Sequence, residues 1–580
     1  MSNQHQLPTP IMLLLALVQG LSLYLLHQSI SFDFWPSNQP QWLFCFYTLV
    51  VVAPVTLLLS LEKGLELKLT LRLGAFALVA GALGFYAGLQ AIPLEQISYQ
   101  PVLFAFIFSM LLASFKALLY IQQLSSGSAL SYSALFLYSW RNFLTLGLSL
   151  LFTLAVWAVL MLWAALFQVI QIDFFDDLFA KQWFYYPTLS LAFAFGIIIF
   201  RNQAGVIDTI TRIQQALMKF LLVILALVSV LFMLALPFTG LTPLWKTGHG
   251  SLLILCLQAL MLFFLNAVYQ ADADSRPYPL WLHRAIYAAV ALLPVYSLIA
   301  CYGLMLRVEQ YGWSVSRCWG LVLWAILALF SIGYLWGILK KRDLWLQHLS
   351  WINVRMGLVL LAVMLLVNSP LIDFRKITVQ NQLARLEDGR TLLADFDLHY
   401  FRYELAKPGY DALQQLKAQH GETNPALALR IDALYRKDMH NETSEQNSKD
   451  QLQQLLVALK LPDHVILPPA LKQALADWQK DHHWQLSYIS QYHLRPIDLN
   501  TDGVQDYVLL TYSHDSIDAT LFSLEGEKWQ RSVLSQLFSD ARSVPQAEPQ
   551  LETLELKAVP PQWPLLQIGG KKFQVQATQN

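Results

Sequence analysis

VLFAFIFSMLLASFKALLYI, from Val102 to Ile121, carries one charged residue, Lys116, and neither proline nor glycine. A bilayer core about 30 Å thick takes roughly 20 apolar residues as helix, and every backbone polar group inside it must be bonded within the segment. The stretch therefore predicts a membrane span. Ten others share its character: Ile11 to His27, Trp42 to Leu61, Leu73 to Ile92, Leu144 to Val169, Trp183 to Phe200, Phe220 to Pro237, Leu252 to Val268, Ala285 to Leu306, Trp319 to Leu339 and Ile352 to Leu371. With 56% hydrophobic and 13% charged residues, the chain is too apolar for a soluble globular enzyme, in which about 25% of residues are charged. The expected fold class is a polytopic α-helical membrane bundle of about eleven spans, followed by a C-terminal soluble α+β domain. The expected boundaries are 1–373 for the transmembrane part and 374–580 for the soluble part, the latter helical over 374–480 and strand-rich over 481–580.

The basic residues between spans set the expected orientation, because Lys and Arg in short loops are retained on the cytoplasmic side. Even-numbered connections hold Lys63, Lys68, Arg72, Arg141, Arg201, Arg212, Lys219, Arg276, Arg284, Lys340, Lys341, Arg342 and Arg355; odd-numbered ones hold only Lys181, Lys246, Arg307 and Arg317. The pattern predicts a cytoplasmic N-terminus and a C-terminal domain outside the cytoplasm, which in a Gram-negative cell is the periplasm. MSNQHQLPTP at the start lacks the basic region of a secretory signal, so the first apolar run is expected to stay as an anchor. Formal charge balances at 39 Lys+Arg against 39 Asp+Glu, which gives no field for nucleic acid. Membrane lipids are the first expected partner. Cys45, Cys256, Cys301 and Cys318 sit in or beside apolar runs and form neither a disulfide framework nor a CxxC pair.

No Asp or Glu falls inside any predicted span, whereas ion-coupled transporters usually place carboxylates or histidines near the midplane. Lys116 is expected to snorkel toward the cytoplasmic end of its helix. Gln19, Gln258, Asn266 and Asn368 read as hydrogen bonds between helices in preference to a permeation path. Trp35, Trp42, Trp183, Tyr185, Tyr186, Trp281 and Trp319 fit interfacial belts, and Ser131 to Asn142 and Val206 to Ala216 read as amphipathic interfacial helices.

Four segments, PFTGLTPLWKTGHG (Pro237 to Gly250), FLNAVYQ (Phe264 to Gln270), RVEQYGWSVSR (Arg307 to Arg317) and NSPLIDFRKITVQNQLARL (Asn368 to Leu386), occur in an order and spacing that resembles the bacterial inner-membrane family catalogued as domain of unknown function 4153. The resemblance covers roughly the first 385 residues and implies a multi-spanning inner-membrane protein; it brings no reaction, cofactor or catalytic residue with it. Three of the segments fall on the expected extracytoplasmic side. Phe238, Thr239, Gly240 and Trp245, with Tyr311, Gly312 and Trp313, are therefore expected to form an extracytoplasmic surface with the base of the C-terminal domain. The alternative is that Gly240 and Gly312 permit tight turns while the tryptophans anchor at the interface.

Beyond Phe374, helical periodicity recurs at Tyr410 to Leu416, Leu427 to Tyr435, Leu452 to Leu459 and Leu471 to Trp478, with Asn441 to Asp450 read as a linker. Short strands are expected at Trp484 to Tyr488, Tyr507 to Tyr512, Ala519 to Leu524, Leu551 to Lys557 and Phe573 to Ala577, with a turn at Gly569 and Gly570. Between two of them lies DLNTDGVQD. Asp498, Asn500, Asp502 and Asp506, with the Val504 carbonyl and Gly503 at the sharp turn, have the spacing of a Ca²⁺ loop. Leu509 replaces the usual bidentate Glu, so the affinity expected is about 10⁻⁴ to 10⁻³ M; a plain Asx-rich turn fits the same residues. Adjacent His482 and His483 read as surface imidazoles. Asp33, Asp173, Asp176 and Asp177, in outward loops, are candidates for glycosyl-transfer chemistry, and there is no GxSxG, HExxH or Walker A sequence. The leading expectation is a non-enzymatic envelope scaffold that engages an envelope protein or glycan. The other is a lipid- or glycan-processing enzyme, or a transporter of an amphipathic substrate.

Overall fold

A computed structural model describes residues 7–573 except 63, 65, 128, 247, 270–276, 342–345, 394, 436–444, 463–464, 483–484, 514–515, 527, 535–550, 552–553, 555, 560–565 and 569–570. Among the described residues, eleven helices are long and apolar enough to cross a membrane. Helices α1 (Thr9–Ser31), α2 (Pro40–Ser60), α3 (Leu67–Leu89), α4 (Gln100–Ser125) and α5 (Tyr132–Val169) come first. The short α6 (Phe174–Ala180) precedes α7 (Gln182–Asn202) and α8 (Ala204–Thr239); the short α9 (Thr242–Lys246) precedes α10 (Gly250–Val268). Next, α11 (Leu280–Ala291) and α12 (Leu293–Tyr311) make one broken span, Leu280–Tyr311. The last spans are α13 (Val315–Lys341) and α14 (Leu346–Val367).

Proline opens α2, α4 and α12 within their first turn, where its missing N–H would have had no partner in the helix. Ser131 caps α5, its Oγ accepting the Ala134 N–H at 3.4 Å. That helix runs unbroken for 38 residues, about 57 Å, so Ser131 to Asn142 is not a separate interfacial helix. No Gly or Pro separates it from the span, and extending a helix costs far less than starting one. Val206 to Ala216 is likewise continuous with the span in α8.

Small residues let α3 press on α2. A Cβ at Gly84 would lie 2.9 Å from the Phe44 carbonyl oxygen, and one at Gly88 2.4 Å from that of Pro40. Packing of backbone on backbone replaces the hydrophobic drive that lipid removes. Elsewhere Met12, Ala16, Leu58, Leu118, Ala194 and Ile197 share one core, while Leu222, Ile254, Met261, Leu265, Val290 and Tyr334 belong to another.

The chain divides into two compact units, Met1–Arg385 with Glu404–Pro408, and Leu386–Tyr403 with Gly409–Asn580. Helices α15 (Phe374–Glu387), α16 (Leu398–Glu404), α17 (Ala406–His420), α18 (Pro425–Tyr435), α19 (Glu445–Ala458) and α20 (Pro469–Asp481) follow the spans. Strands β1 (Leu459–Lys460), β2 (Ile489–Ile497), β3 (Asp506–Ser513), β4 (Ser516–Glu525) and β5 (Lys528–Leu534) form one sheet in that order, and β6 (Leu566–Ile568) pairs with β7 (Lys571–Phe573). β1 pairs with β2 in parallel, and the other ladders are antiparallel. Central β3 is buried on both faces: Tyr507 and Leu509 pack with Leu471, Leu475 and Trp478, whereas Val508, Leu510 and Tyr512 pack with Leu551.

The helical segments expected in this unit are all present, and Glu445 to Asp450 lies in α19; Asn441 to Glu445 is described only from Glu445. The strand expectations need correction. Gln485 to Tyr488 is a turn, and the strand starts at Ile489; the described residues of Leu551 to Lys557 form no strand. Residues Gln574 to Ala577, Gly569, Gly570, His483 and Trp484 lie outside the described residues.

Candidate functional site

Polar side chains of the apolar helices meet in one place. Asn266 near the end of α10 is the hub: its Oδ1 accepts from Tyr334 Oη at 2.8 Å and from Asn353 Nδ2 at 2.6 Å, and its carbonyl accepts from Tyr132 Oη at 3.0 Å. Asn353 Oδ1 lies against the same Tyr334 hydroxyl, whose single proton the two amide oxygens share. Four helices, α5, α10, α13 and α14, are tied by this network. A second joint centres on Gln258, whose Nε2 donates to the Leu293 carbonyl at 2.8 Å and Ser297 Oγ at 2.7 Å. Asn368 Nδ2 reaches Ser109 Oγ at 2.7 Å. These amides bond between helices, where the alternative is an unsatisfied polar group in hydrocarbon.

At the ends of α8 and α12 lie the loop residues expected to form a surface. Gly240 and Gly312 terminate the two helices with nearly the same backbone, φ 68° and ψ −179° against φ 74° and ψ −174°, a conformation essentially confined to glycine. Each N–H donates to the carbonyl four residues back at 2.8 Å. Phe238, Thr239 and Gly240 are exposed. Trp245 lies against α12, its ring close enough that a Cβ on Gly303 would be 2.2 Å from it, and Arg307 Nη2 donates to the Gly248 carbonyl at 3.0 Å. The two loops are thus linked.

Gly312 is buried and Trp313 half-buried, for a reason absent from the sequence pattern: α15 grips this loop. Asn381 Oδ1 accepts the Trp313 N–H at 2.8 Å; Gln382 Nε2 donates to the carbonyls of Tyr311 at 3.0 Å and Trp313 at 2.9 Å; Arg385 donates to those of Glu309 at 3.0 Å and Gln310 at 2.8 Å. Residues 381, 382 and 385 share one helical face. Tyr311 stays exposed, with the Arg317 guanidinium 5.4 Å from its ring centroid. Asp373 caps the start of α15 at the Arg375 N–H, 3.0 Å away, and accepts from Tyr86 Oη on α3 at 2.8 Å. Two of the segments quoted above therefore form one clamp at this end of the bundle.

In the second unit, the loop from Asp498 to Asp506 joins β2 to β3. Asp498 Oδ2 accepts the Gly503 N–H at 3.0 Å, Asp502 Oδ1 that of Val504 at 2.7 Å, and Asn500 Oδ1 that of Asp502 at 3.2 Å. Asp506 is buried and its Oδ2 faces the Leu499 N–H at 3.4 Å, whereas Asp498, Asn500, Asp502 and Val504 are exposed. Each acidic side chain thus accepts from the loop's own backbone, and no group of three or more His, Cys, Asp or Glu among the described residues is arranged to hold a metal ion. His482 stacks on Trp478, with ring centroids 5.0 Å apart. Asp176 and Asp177 lie in the first turn of α6, and Asp33 accepts from Ser37 Oγ at 3.3 Å.

A family model described as "Domain of unknown function (DUF4153)" matches residues 13–416. No curated protein and no solved structure matches the chain. The match includes the first candidate span from residue 13, all the later spans, the Asn266 hub and both halves of the clamp.

Proposed function

The chain belongs to the DUF4153 family, and we propose that it serves as an inner-membrane scaffold whose helical unit anchors the C-terminal unit on the periplasmic side for contact with an envelope protein or glycan. The observation that carries this reading is the clamp. Three side chains of α15 hold the backbone of residues 309–313, so the chain leaves its last span through a braced joint. A rigid exit suits a protein that presents a domain. Eleven candidate spans, with basic residues concentrated on the even-numbered connections, favour opposite sides for the two termini.

The test is a pair of fusions after Asn580, alkaline phosphatase and green fluorescent protein. Phosphatase activity without fluorescence is expected. Fluorescence without phosphatase activity refutes the periplasmic placement, and with it this form of the scaffold.

The competing reading is an enzyme acting on lipid or glycan, or a transporter of an amphipathic substrate. A cavity between spans favours it. Alanine at Asp33, Asp173 and Asp177 separates the scaffold from the enzyme: the scaffold tolerates all three with normal membrane insertion, and loss of the null strain's complementing activity would favour catalysis.

A further inference from the structure

Between α4, α5, α10, α13 and α14 the bundle forms a half-open recess of about 280 Å³. Its walls carry one charge, Lys116, and no carboxylate. Among the described residues Lys116 has neither an ion pair nor a hydrogen bond, and it is half-buried. It lies about 14 Å from the C-terminal end of α4, at 1.5 Å rise per residue. An ammonium at this depth is costly unless a counter-charge accompanies it, and no described residue pairs with it. A bound anion would supply that counter-charge.

The other walls define that ligand. Phe136, Phe263 and Phe330 make much of the surface apolar, and Phe263 is exposed on the outside of the bundle, where lipid surrounds the spans. Ser139 adds a hydroxyl to the lining. The Asn266 and Asn353 amides on the far wall are committed to each other and to Tyr334, which holds that wall in place. Gly357 makes room as well: a Cβ there would lie 2.1 Å from Tyr120 Oη, which instead donates to the Val354 carbonyl at 2.6 Å and pins α4 to α14. A fixed, aromatic, singly cationic recess open toward lipid suits an amphiphile with one net negative charge. Basic recesses between spans recognise anionic headgroups.

We propose that this cavity is a lateral site for an anionic phospholipid, with Lys116 Nζ paired to the headgroup phosphate and an acyl chain along the phenylalanines. The site is independent of the scaffold reading and of which side of the membrane this end faces. The test uses the full chain in dodecyl maltoside, titrated with phosphatidylglycerol, phosphatidylcholine or soluble glycerol 3-phosphate, and read by native mass spectrometry. Phosphatidylglycerol should be retained about tenfold more tightly than phosphatidylcholine, whose choline cation offsets the phosphate that both lipids carry and so weakens the attraction to Lys116. Lys116→Gln should erase that preference, and Lys116→Arg should keep it. Ser139→Trp, which fills the recess without touching the charge, should abolish retention of phosphatidylglycerol. Equal retention of the two lipids by the wild type, an unaltered preference in Lys116→Gln, or unchanged retention in Ser139→Trp would overturn the proposal. So would displacement of phosphatidylglycerol by glycerol 3-phosphate at equal concentration, which would make the ligand a soluble phosphate.

Discussion

Gly240 and Gly312 give a natural controlled comparison for the clamp. Both end a span, both have φ near 70° with extended ψ, and both donate to the carbonyl four residues back. Alanine at either position forces a Cβ into a region reserved for glycine, at a cost of about 1–3 kcal/mol. Around Gly240 nothing lies within 4 Å of the new Cβ, whereas at Gly312 it would fall 2.7 Å from Arg385 Cδ and 2.8 Å from both Asn381 Oδ1 and Gln382 Nε2. Those side chains must rotate away. The bonds at risk are the Trp313 N–H to Asn381 and the pair from Gln382, each worth about 0.5–1.5 kcal/mol. Gly312→Ala should therefore cost about 2–4 kcal/mol more than Gly240→Ala. Equilibrium unfolding of the purified full chain in mixed detergent micelles reads the difference, with Asn381→Ala as a third variant that removes part of the grip without backbone strain. Equal losses for the two glycine variants, together with a neutral Asn381→Ala, would show that the clamp adds no stability.

Gly88→Ala should destabilise the bundle by about 1–3 kcal/mol through overpacking, because its Cβ meets the Pro40 carbonyl oxygen at 2.4 Å, whereas Gly147→Ala, with open space around it, should not; thermal gel-filtration profiles compare them. Asn266→Leu strands the Asn353 amide and removes the Tyr334 acceptor while leaving the backbone carbonyl that Tyr132 uses, so a loss of about 2 kcal/mol is expected, and an unchanged unfolding midpoint would contradict the network's role. Asp498→Ala should cost about 1 kcal/mol by freeing the Gly503 N–H from its acceptor. Ca²⁺ at about 10⁻³ M separates the two readings of this loop: a saturable rise in the melting temperature of the wild-type chain that Asp498→Ala abolishes marks a cation loop, and an unchanged melting temperature marks a plain Asx turn.

What could be read in advance follows from where the constraint comes from. A bilayer imposes length and composition on each segment separately, so the spans are visible one at a time; the break at Leu292, with Pro294 just after it, is not marked by composition and falls inside the span expected from Ala285 to Leu306. Gly240 and Gly312 are readable as helix ends, but only tertiary structure reveals that Asn381, Gln382 and Arg385 reach Gly312 and nothing reaches Gly240. In the second unit β2 escapes notice because His493, Arg495 and Pro496 interrupt its apolar alternation. Edge strand β5 escapes because nearly all of it is exposed, leaving no buried face to mark a period of two.

The same distinction separates Lys116 from the amides near it. An isolated charge in an apolar run is conspicuous in one dimension, and snorkelling is the economical reading when only its own helix is known. Its neighbours Tyr132, Ser139, Asn266 and Asn353 come from three other helices, and each alone looks like an interfacial or bonding residue. Only their assembly shows that the amides satisfy one another while the lysine is left over. Saturated polar groups account for stability; the unsaturated cation beside them is what directs attention to a ligand.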